Sequence, residues 1–214
     1  MTLTYNNRKT NFLLSACVST LSRITAKLKQ LLTTSKRVNI NEVLLYDAGK
    51  ENIKKQLGLN NLCCIYYVIV HARLTIDLCL PSLDSVTISR CLVRIRQKNK
   101  TRVRIILHRN PDTSVKPFLD FGMEVKVIRK SEVQLEHEFI LIDAQGECEE
   151  ALVIIGSLHD AVNRVTCNRN NTLITSENAI VFSLKREFDR IWDSIADTEQ
   201  KEPSQNKNKN VIQC

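Results

Sequence analysis

Apolar and polar positions alternate along this chain with two periods, which divide it into predicted strands and predicted helices. A two-residue alternation, or a short unbroken apolar run, predicts a β-strand, because successive side chains of a strand point to opposite faces of a sheet. Such stretches lie at 39–46, 74–80, 103–107, 123–128, 138–143 and 151–157. The last two read EFILID and ALVIIGS, and they indicate two buried strands joined by a polar turn.

Apolar residues recur every three or four positions between these strands, which predicts helices. The first helix either runs through Leu57 or covers Cys63–Val70, and the second runs from its cap at Asp84 or Ser85 to about Gln97. The third covers Val115–Phe121, with Gly122 suited to the left-handed position that follows a helix. The last predicted helix is Asn178–Ala196.

The apolar stripes of two of these helices are expected to face the core. In the second helix they are Val86, Leu92, Val93 and Ile95. In the last helix they are Phe182, Leu184, Phe188, Ile191 and Trp192. Strands that alternate with helices favour an α/β fold with a mixed sheet.

The two ends of the chain differ from this central part. Residues 1–38 form a basic amphipathic segment, whose apolar run at 11–21 is about half of the roughly 20 residues that a membrane-spanning helix needs. It predicts either a mitochondrial targeting or membrane-surface helix, or a helix that packs on the domain or a partner. Residues 197–214 have little apolar content and are predicted to be disordered. The folded domain is therefore expected at 39–196.

The chain is basic, with a net charge of +8, so anionic partners such as RNA or acidic lipid are favoured electrostatically. The cationic side chains cluster around one predicted helix and the strand after it: Arg90, Arg94, Arg96, Lys98, Lys100, Arg102 and Arg104. Such a cluster suits contact with a phosphate backbone without sequence readout, and its alternative is a solvated helix face with a strand rim. Aromatic residues are sparse there, which argues against a platform for stacking bases.

Eight cysteines show no spacing typical of a disulfide framework, so reduced thiols in a cytosol-facing protein are expected. Cys79 and Cys91 fit small buried hydrophobes. Cys63, Cys64 and His71 lack the paired ligand spacing of a structural zinc site. Neither a metal ion nor a cofactor is expected.

The segment 135–160 combines a strand that ends in Asp143 with a strand that ends in Gly156 and Ser157. This arrangement resembles the core of the phospholipase D superfamily, whose signature is His-x-Lys, four residues, Asp, and then Gly-Ser. Anchoring that signature on Asp143 puts the expected His at Glu136 and the expected Lys at Glu138.

The order of the other strands, the asparagine-rich segment 167–175 and the closing helix resemble one branch of that superfamily, the Zucchini or mitochondrial cardiolipin hydrolase family. The resemblance implies a mixed β-sheet sandwiched by helices in a single domain. It also implies a dimer in which two copies of the signature face each other, an anchor on the mitochondrial outer surface and a role in piRNA biogenesis.

In the enzymes that this chain resembles, the His attacks phosphorus, the Lys neutralises the phosphate oxygens and the Asp orients the partner's imidazole. Because residues i and i+2 share a face of a strand, Glu136 and Glu138 are expected to point together while His137 points away. A one-residue slip, the alternative that would present His137, reverses every side chain of the strand. Carboxylates repel phosphate: two unit charges about 4 Å apart interact by roughly 4 kcal/mol at an effective dielectric of about 20.

Three hypotheses follow from this sequence. The first is a catalytically degenerate relative that acts by dimerisation and by binding RNA or acidic lipid, as a homodimer or in a heterodimer with an active relative. The second is an active phosphodiesterase, either an endoribonuclease or a cardiolipin hydrolase, with an atypical site in which the carboxylates hold a divalent cation. The third is an inhibitory subunit, because pairing with this chain would poison a partner whose site needs both copies.

Overall fold

A computed structural model of the protein describes residues 22–27, 29–30, 39–45, 51–83, 85–108, 115–128, 137–146, 150–156 and 171–195. This part of the chain forms one seven-stranded mixed sheet in the order β1-β7-β6-β5-β2-β3-β4. The strands are β1 Asn41–Leu45, β2 Thr75–Leu80, β3 Arg102–His108, β4 Glu124–Ile128, β5 Phe139–Ile142, β6 Leu152–Gly156 and β7 Asn171–Thr175.

Strand direction divides the sheet into two edges. The pairs β2–β3 and β3–β4 are parallel, and the remaining neighbours are antiparallel. Strands β1, β2, β3, β4 and β6 therefore end at the same edge, called the carboxyl edge below, where β5 and β7 begin. The opposite side, where β2 begins and β5 ends, is called the amino edge. In open α/β sheets ligands bind beyond the carboxyl ends of the strands.

Three helices connect described strands, α1 Glu51–Val70, α2 Val86–Asn99 and α3 Lys116–Asp120, and a further helix, α4 Asn178–Ser194, follows β7. The two alternatives for the first helix are both contained in α1, which is 20 residues long. Helix α2 begins after Ser85, whose Oγ accepts the N–H of Ile88 at 3.3 Å. After α3, Gly122 has φ +72°, the left-handed conformation expected there.

Helices cover both faces of the sheet, and each face has its own core. Val103, Ile105 and Leu107 of β3 pack in the larger core with α1 and α2. Ile106 of the same strand packs on the opposite face with Phe188 of α4. The expected mixed sheet between helices is confirmed.

The inner face of α2 differs from the prediction at one position. Val86, which was expected in the core, is 58% exposed. The buried positions are Ile88, Cys91, Leu92 and Ile95. Their spacing of three, four and seven residues places them on one stripe, and Val86 falls beside it. In α4, Phe188 and Ile191 are buried as predicted, whereas Phe182, Leu184 and Trp192 are half-buried.

The end of the N-terminal segment packs on this domain. Residues 22–27, 29 and 30 are helical, and Ile24 is fully buried in the larger core. Arg23 and Lys27 pair with Glu42 of β1 at 3.2 and 2.9 Å. These residues support the packing alternative for their own part of the segment. Residues 1–21 and 196–214 lie outside the described residues, and no helix of the described part is long and apolar enough to cross a bilayer.

Candidate functional site at the carboxyl edge

The signature strands meet at the carboxyl edge of the sheet. Glu138 lies directly before β5, and its carbonyl oxygen accepts the N–H of Gly156 at 3.0 Å. The register pairs Phe139 with Ile155, so Glu138 stands beside the end of β6. Glu136 and Ser157, the other two signature positions expected here, lie outside the described residues.

Glu138 and His137 belong to opposite faces of the sheet. Glu138 alternates with Ile140, which packs in the core beneath α1 and α2. His137 alternates with Phe139, and the two rings are 6.1 Å apart on the α4 face. The His137 Nε2 lies 3.5 Å from a carboxylate oxygen of Glu187 in α4. His137 therefore does not share a face with Glu138.

Gly156 has a conformation and surroundings that exclude a side chain. Its φ is +114°, and a Cβ added there would lie 2.3 Å from the carbonyl oxygen of Asn171 and 3.2 Å from the Cα of Thr172. Strands β6 and β7 therefore approach each other more closely than any other residue at this position would permit.

We expect Gly156→Ala to destabilise the protein by about 3–5 kcal/mol, because positive φ and overlap with backbone atoms act together. Gly146→Ala is the matched control, since φ at Gly146 is +58° but no described atom lies within 4 Å of an added Cβ. That control should cost only about 1–2 kcal/mol. Urea denaturation measures both, and equal losses would contradict the close approach of β6 and β7.

Asp143 lies at the other end of β5, at the amino edge. Its buried carboxylate accepts three backbone N–H groups that lead into β2: those of Arg73 at 3.0 Å, Leu74 at 2.7 Å and Thr75 at 3.0 Å. It is five residues from Glu138, which is about 17 Å along a strand. The role implied for Asp143, orienting the partner's imidazole, stays a prediction. Asp143 holds the start of β2 against the end of β5.

The predicted basic cluster is divided between the two faces of the sheet. Val103 and Ile105 face α2, so the alternating Arg102 and Arg104 must face the opposite side, towards α4. Arg102 is exposed and forms a two-bond pair with Glu124 at 2.7 and 2.9 Å. The prediction of one continuous patch is wrong for these two residues.

The remaining cations belong to α2 and the residue after it. Arg90 and Arg94 are exposed on the outer side of the helix, and Lys98 and Lys100 are exposed at its C-terminal end. Arg96 instead donates to the carbonyl oxygens of Lys100 and Thr101 at 3.1 and 3.4 Å, which closes that end of the helix. Helix α2 contains no acidic residue, so its outer face stays cationic.

Arg104 is the centre of a buried ion cluster beneath α4. Its guanidinium donates two bonds to Asp77 of β2, at 2.7 and 2.6 Å, and one to Asp189 of α4 at 3.1 Å. The rings of Phe188 and Trp192 lie 4.8 and 5.3 Å from the guanidinium carbon. Burial alone would lower the pKa of Arg104, but hydrogen bonds and charge from Asp77 and Asp189 raise it overall. In the sequence, this cluster is signalled by one acid, Asp77, within the apolar run LTIDLCL.

A cavity of about 530 Å³ opens between α2 and α3. Its apolar wall consists of Leu83, Val93, Pro117, Phe118 and Phe121. Arg90 and Arg94 line it from successive turns of α2. Periodicity did not predict this cavity, because its two walls come from helices separated by strand β3.

The buried thiols Cys79 and Cys91 do not offer an alternative nucleophile. Burial raises the pKa of Cys79 and of Cys91 to about 12, which keeps both protonated at neutral pH. Cys63 is exposed, its neighbour Cys64 is buried, and the His71 Nδ1 donates to the carbonyl oxygen of Tyr67 at 2.7 Å. Within the described ranges, no three His, Cys, Asp or Glu side chains come together as a metal site.

Comparison with known proteins gives a consistent family. Residues 65–192 match the family model described as cardiolipin synthase, PLD-like domain. The mitochondrial cardiolipin hydrolase of Xenopus laevis is 26% identical over 129 residues, covering 58% of this chain and 58% of the relative. The human mitochondrial cardiolipin hydrolase is 26% identical over 150 residues, covering 66% of this chain and 54% of the relative. The chain thus spans little more than half the length of these relatives.

Two solved structures share the fold. NucT from Helicobacter pylori has a TM-score of 0.54 at 17% identity, covering 75% of this chain and 98% of that one. Nuc from Salmonella typhimurium, a phospholipase D family member, has a TM-score of 0.52 at 15% identity with the same coverage.

Proposed function

Because this chain belongs to the PLD-like domain family described for cardiolipin synthase, we propose that it is a catalytically degenerate member that acts by dimerisation and by binding an anionic ligand, RNA or acidic lipid. Its domain corresponds to residues 39–196, between the basic N-terminal segment and the C-terminal tail 197–214. The mitochondrial relatives support an association with the mitochondrion. The place at its outer surface and the role in piRNA biogenesis are implied by the resemblance to the Zucchini branch.

One observation carries this proposal: a carboxylate side chain stands at the signature position where the resemblance expects the Lys. Glu138 lies directly before β5 and pairs through its backbone with Gly156, which supports its assignment to the signature. Phosphoryl transfer requires positive charge around the non-bridging oxygens. A carboxylate there opposes the binding of a phosphodiester.

The signature position of the attacking His also holds an acid. Glu136 stands in sequence where the attacking His is expected, and His137 is on the α4 face beside Glu187. The scaffold around the site supports descent from an active ancestor, because Gly156 and the Asp143 clamp fix the two ends of the signature strands. A dimer would bring two such acidic edges together, as a homodimer or as an inhibitory pair with an active relative.

The wild-type chain tests the proposal directly. We expect no hydrolysis of single-stranded RNA or of cardiolipin, with EDTA or with added Mg²⁺ or Mn²⁺. Light scattering should give twice the chain mass of 24.5 kDa. Turnover that depends on a divalent cation and is lost in Glu138→Gln would overturn the proposal and establish the atypical phosphodiesterase instead.

A further inference from the structure

The cavity between α2 and α3 has the composition of a site for an anionic amphiphile. Its floor is aliphatic and aromatic, and two guanidinium groups lie at its rim. Small-molecule sites are typically apolar concavities of about 300–1,000 Å³ with a few polar groups that fix orientation. The 530 Å³ of this cavity falls within that range.

We propose that this groove binds one acyl chain whose head is a phosphate group, with the chain along Val93 and Phe118 and the phosphate between Arg90 and Arg94. The groove lies on the helix layer and is separate from the signature residues at the carboxyl edge. The inference rests on the proposed function only in that the protein acts by binding anions.

The apolar side chains that line the groove remain accessible to a ligand. Phe121 is 40% exposed although it is a large aromatic residue, and Val93 is only half-buried against the larger core. Exposed apolar surface gathered in a concavity is a feature of ligand grooves. A nucleic acid backbone has no apolar body of this size, so a chain of methylene groups fits the floor better.

The spacing of the two arginines on α2 suits an oxoanion. Arg90 and Arg94 are four residues apart, so their side chains leave the helix on one side about 6 Å apart along its axis. Arginine favours oxoanions because its planar fork donates two parallel bonds. A phosphate monoester offers three oxygens and can accept from both guanidinium groups, whereas a carboxylate offers only two.

The neighbouring charges reinforce this preference. Helix α2 carries four cations and no acid, and the Arg94 guanidinium contacts the neutral hydroxyl of Tyr66 at 3.5 Å. The positive potential along the outer face of the helix therefore favours an anionic head over a neutral or zwitterionic one.

The probe is oleoyl lysophosphatidate below its micelle-forming concentration, titrated into the full chain by calorimetry. Two partial ligands separate the halves of the site: glycerol 3-phosphate has the head without the chain, and monooleoylglycerol has the chain without the phosphate. We expect each to bind at least about tenfold more weakly than the whole lipid, because each loses one class of contact.

Three variants test the placement. Val93→Trp fills the groove, and Arg90→Glu with Arg94→Glu reverses the rim; each should weaken binding about tenfold or more. Lys98→Glu with Lys100→Glu is the matched control, since it changes the same net charge at the end of the same helix and should alter binding less than about threefold. Circular dichroism melting verifies that every variant is folded.

The possible outcomes are distinct. Equal losses of affinity in the two charge-reversal pairs, or full binding by Val93→Trp, would contradict binding in the groove. Either result would indicate diffuse electrostatic attraction to the surface. Single-stranded RNA that competes with the lipid and is itself insensitive to Val93→Trp would do the same. None of these results concerns turnover, so a failure here is separable from a failure of the proposed loss of catalysis.

Discussion

Replacing Glu136 with His and Glu138 with Lys together is expected to create phosphodiesterase turnover, whereas the wild-type chain is expected to have none. The pair restores a nucleophile and a cation at the two signature positions, while Gly156 and the β5–β6 register already hold the strands in place. Hydrolysis of a chromogenic phosphodiester, single-stranded RNA and cardiolipin measures the gain.

Intermediate variants separate the two contributions. Glu136→His with Glu138→Met provides the nucleophile without the cation, and its rate should be about 100-fold lower than that of the full pair, because one charge-stabilising group at a transition state contributes about 10²–10³ in rate. Glu138→Lys alone should be inactive. A folded and dimeric double variant without turnover would show that this edge has lost more than its reactive groups.

Replacing Arg104 with Met is expected to destabilise the protein by about 3–5 kcal/mol. Asp77 is 1% exposed and would remain buried without its main charge partner. The rings of Phe188 and Trp192 would also lose a cation that lies 4.8 and 5.3 Å away. For a domain of this size the melting temperature should fall by about 10 °C.

Arg102→Met is the matched control, because it makes the same change two residues away on the same strand and face. Arg102 pairs with Glu124 in solvent, and such pairs contribute about 1 kcal/mol or less. Adding Asp77→Leu to Arg104→Met should recover part of the loss, because it removes a buried carboxylate whose remaining charge partner is Lys185 at 3.7 Å. Equal destabilisation by Arg102→Met and Arg104→Met would contradict the buried cluster.

Local patterns in the sequence were sufficient for most of the fold. Strand alternation located six of the seven described strands, whereas β7, within the asparagine-rich segment, was not predicted as a strand. Ser85 and Gly122 marked helix ends through their own backbone requirements. These features depend on residues within a few positions of each other. The prediction for Val86 was wrong because this first residue after the Ser85 cap lies beside the buried stripe of the helix.

The candidate site was predicted less completely, because a motif gives spacing but not the partners that its residues meet in the fold, such as the three backbone N–H groups bound by Asp143. Glu138 and Asp143 are five positions apart in one signature, yet β5 carries them to opposite edges of the sheet. The basic residues illustrate the same limit, since Arg94 and Arg104 appear as one cluster in the sequence but lie on opposite faces. The groove beside Val93 involves two helices and has no local pattern.

By itself, the sequence determined the α/β class, six of the seven described strands and most helix boundaries, because periodicity is a local property. Only the tertiary structure decided that Asp143 is a backbone clamp, that Arg104 is buried with Asp77 and Asp189, and that Arg90 and Arg94 border a groove. Charge pairing and burial depend on residues 27 and 85 positions apart, and the packing of the sheet between its two helix layers is what brings them together.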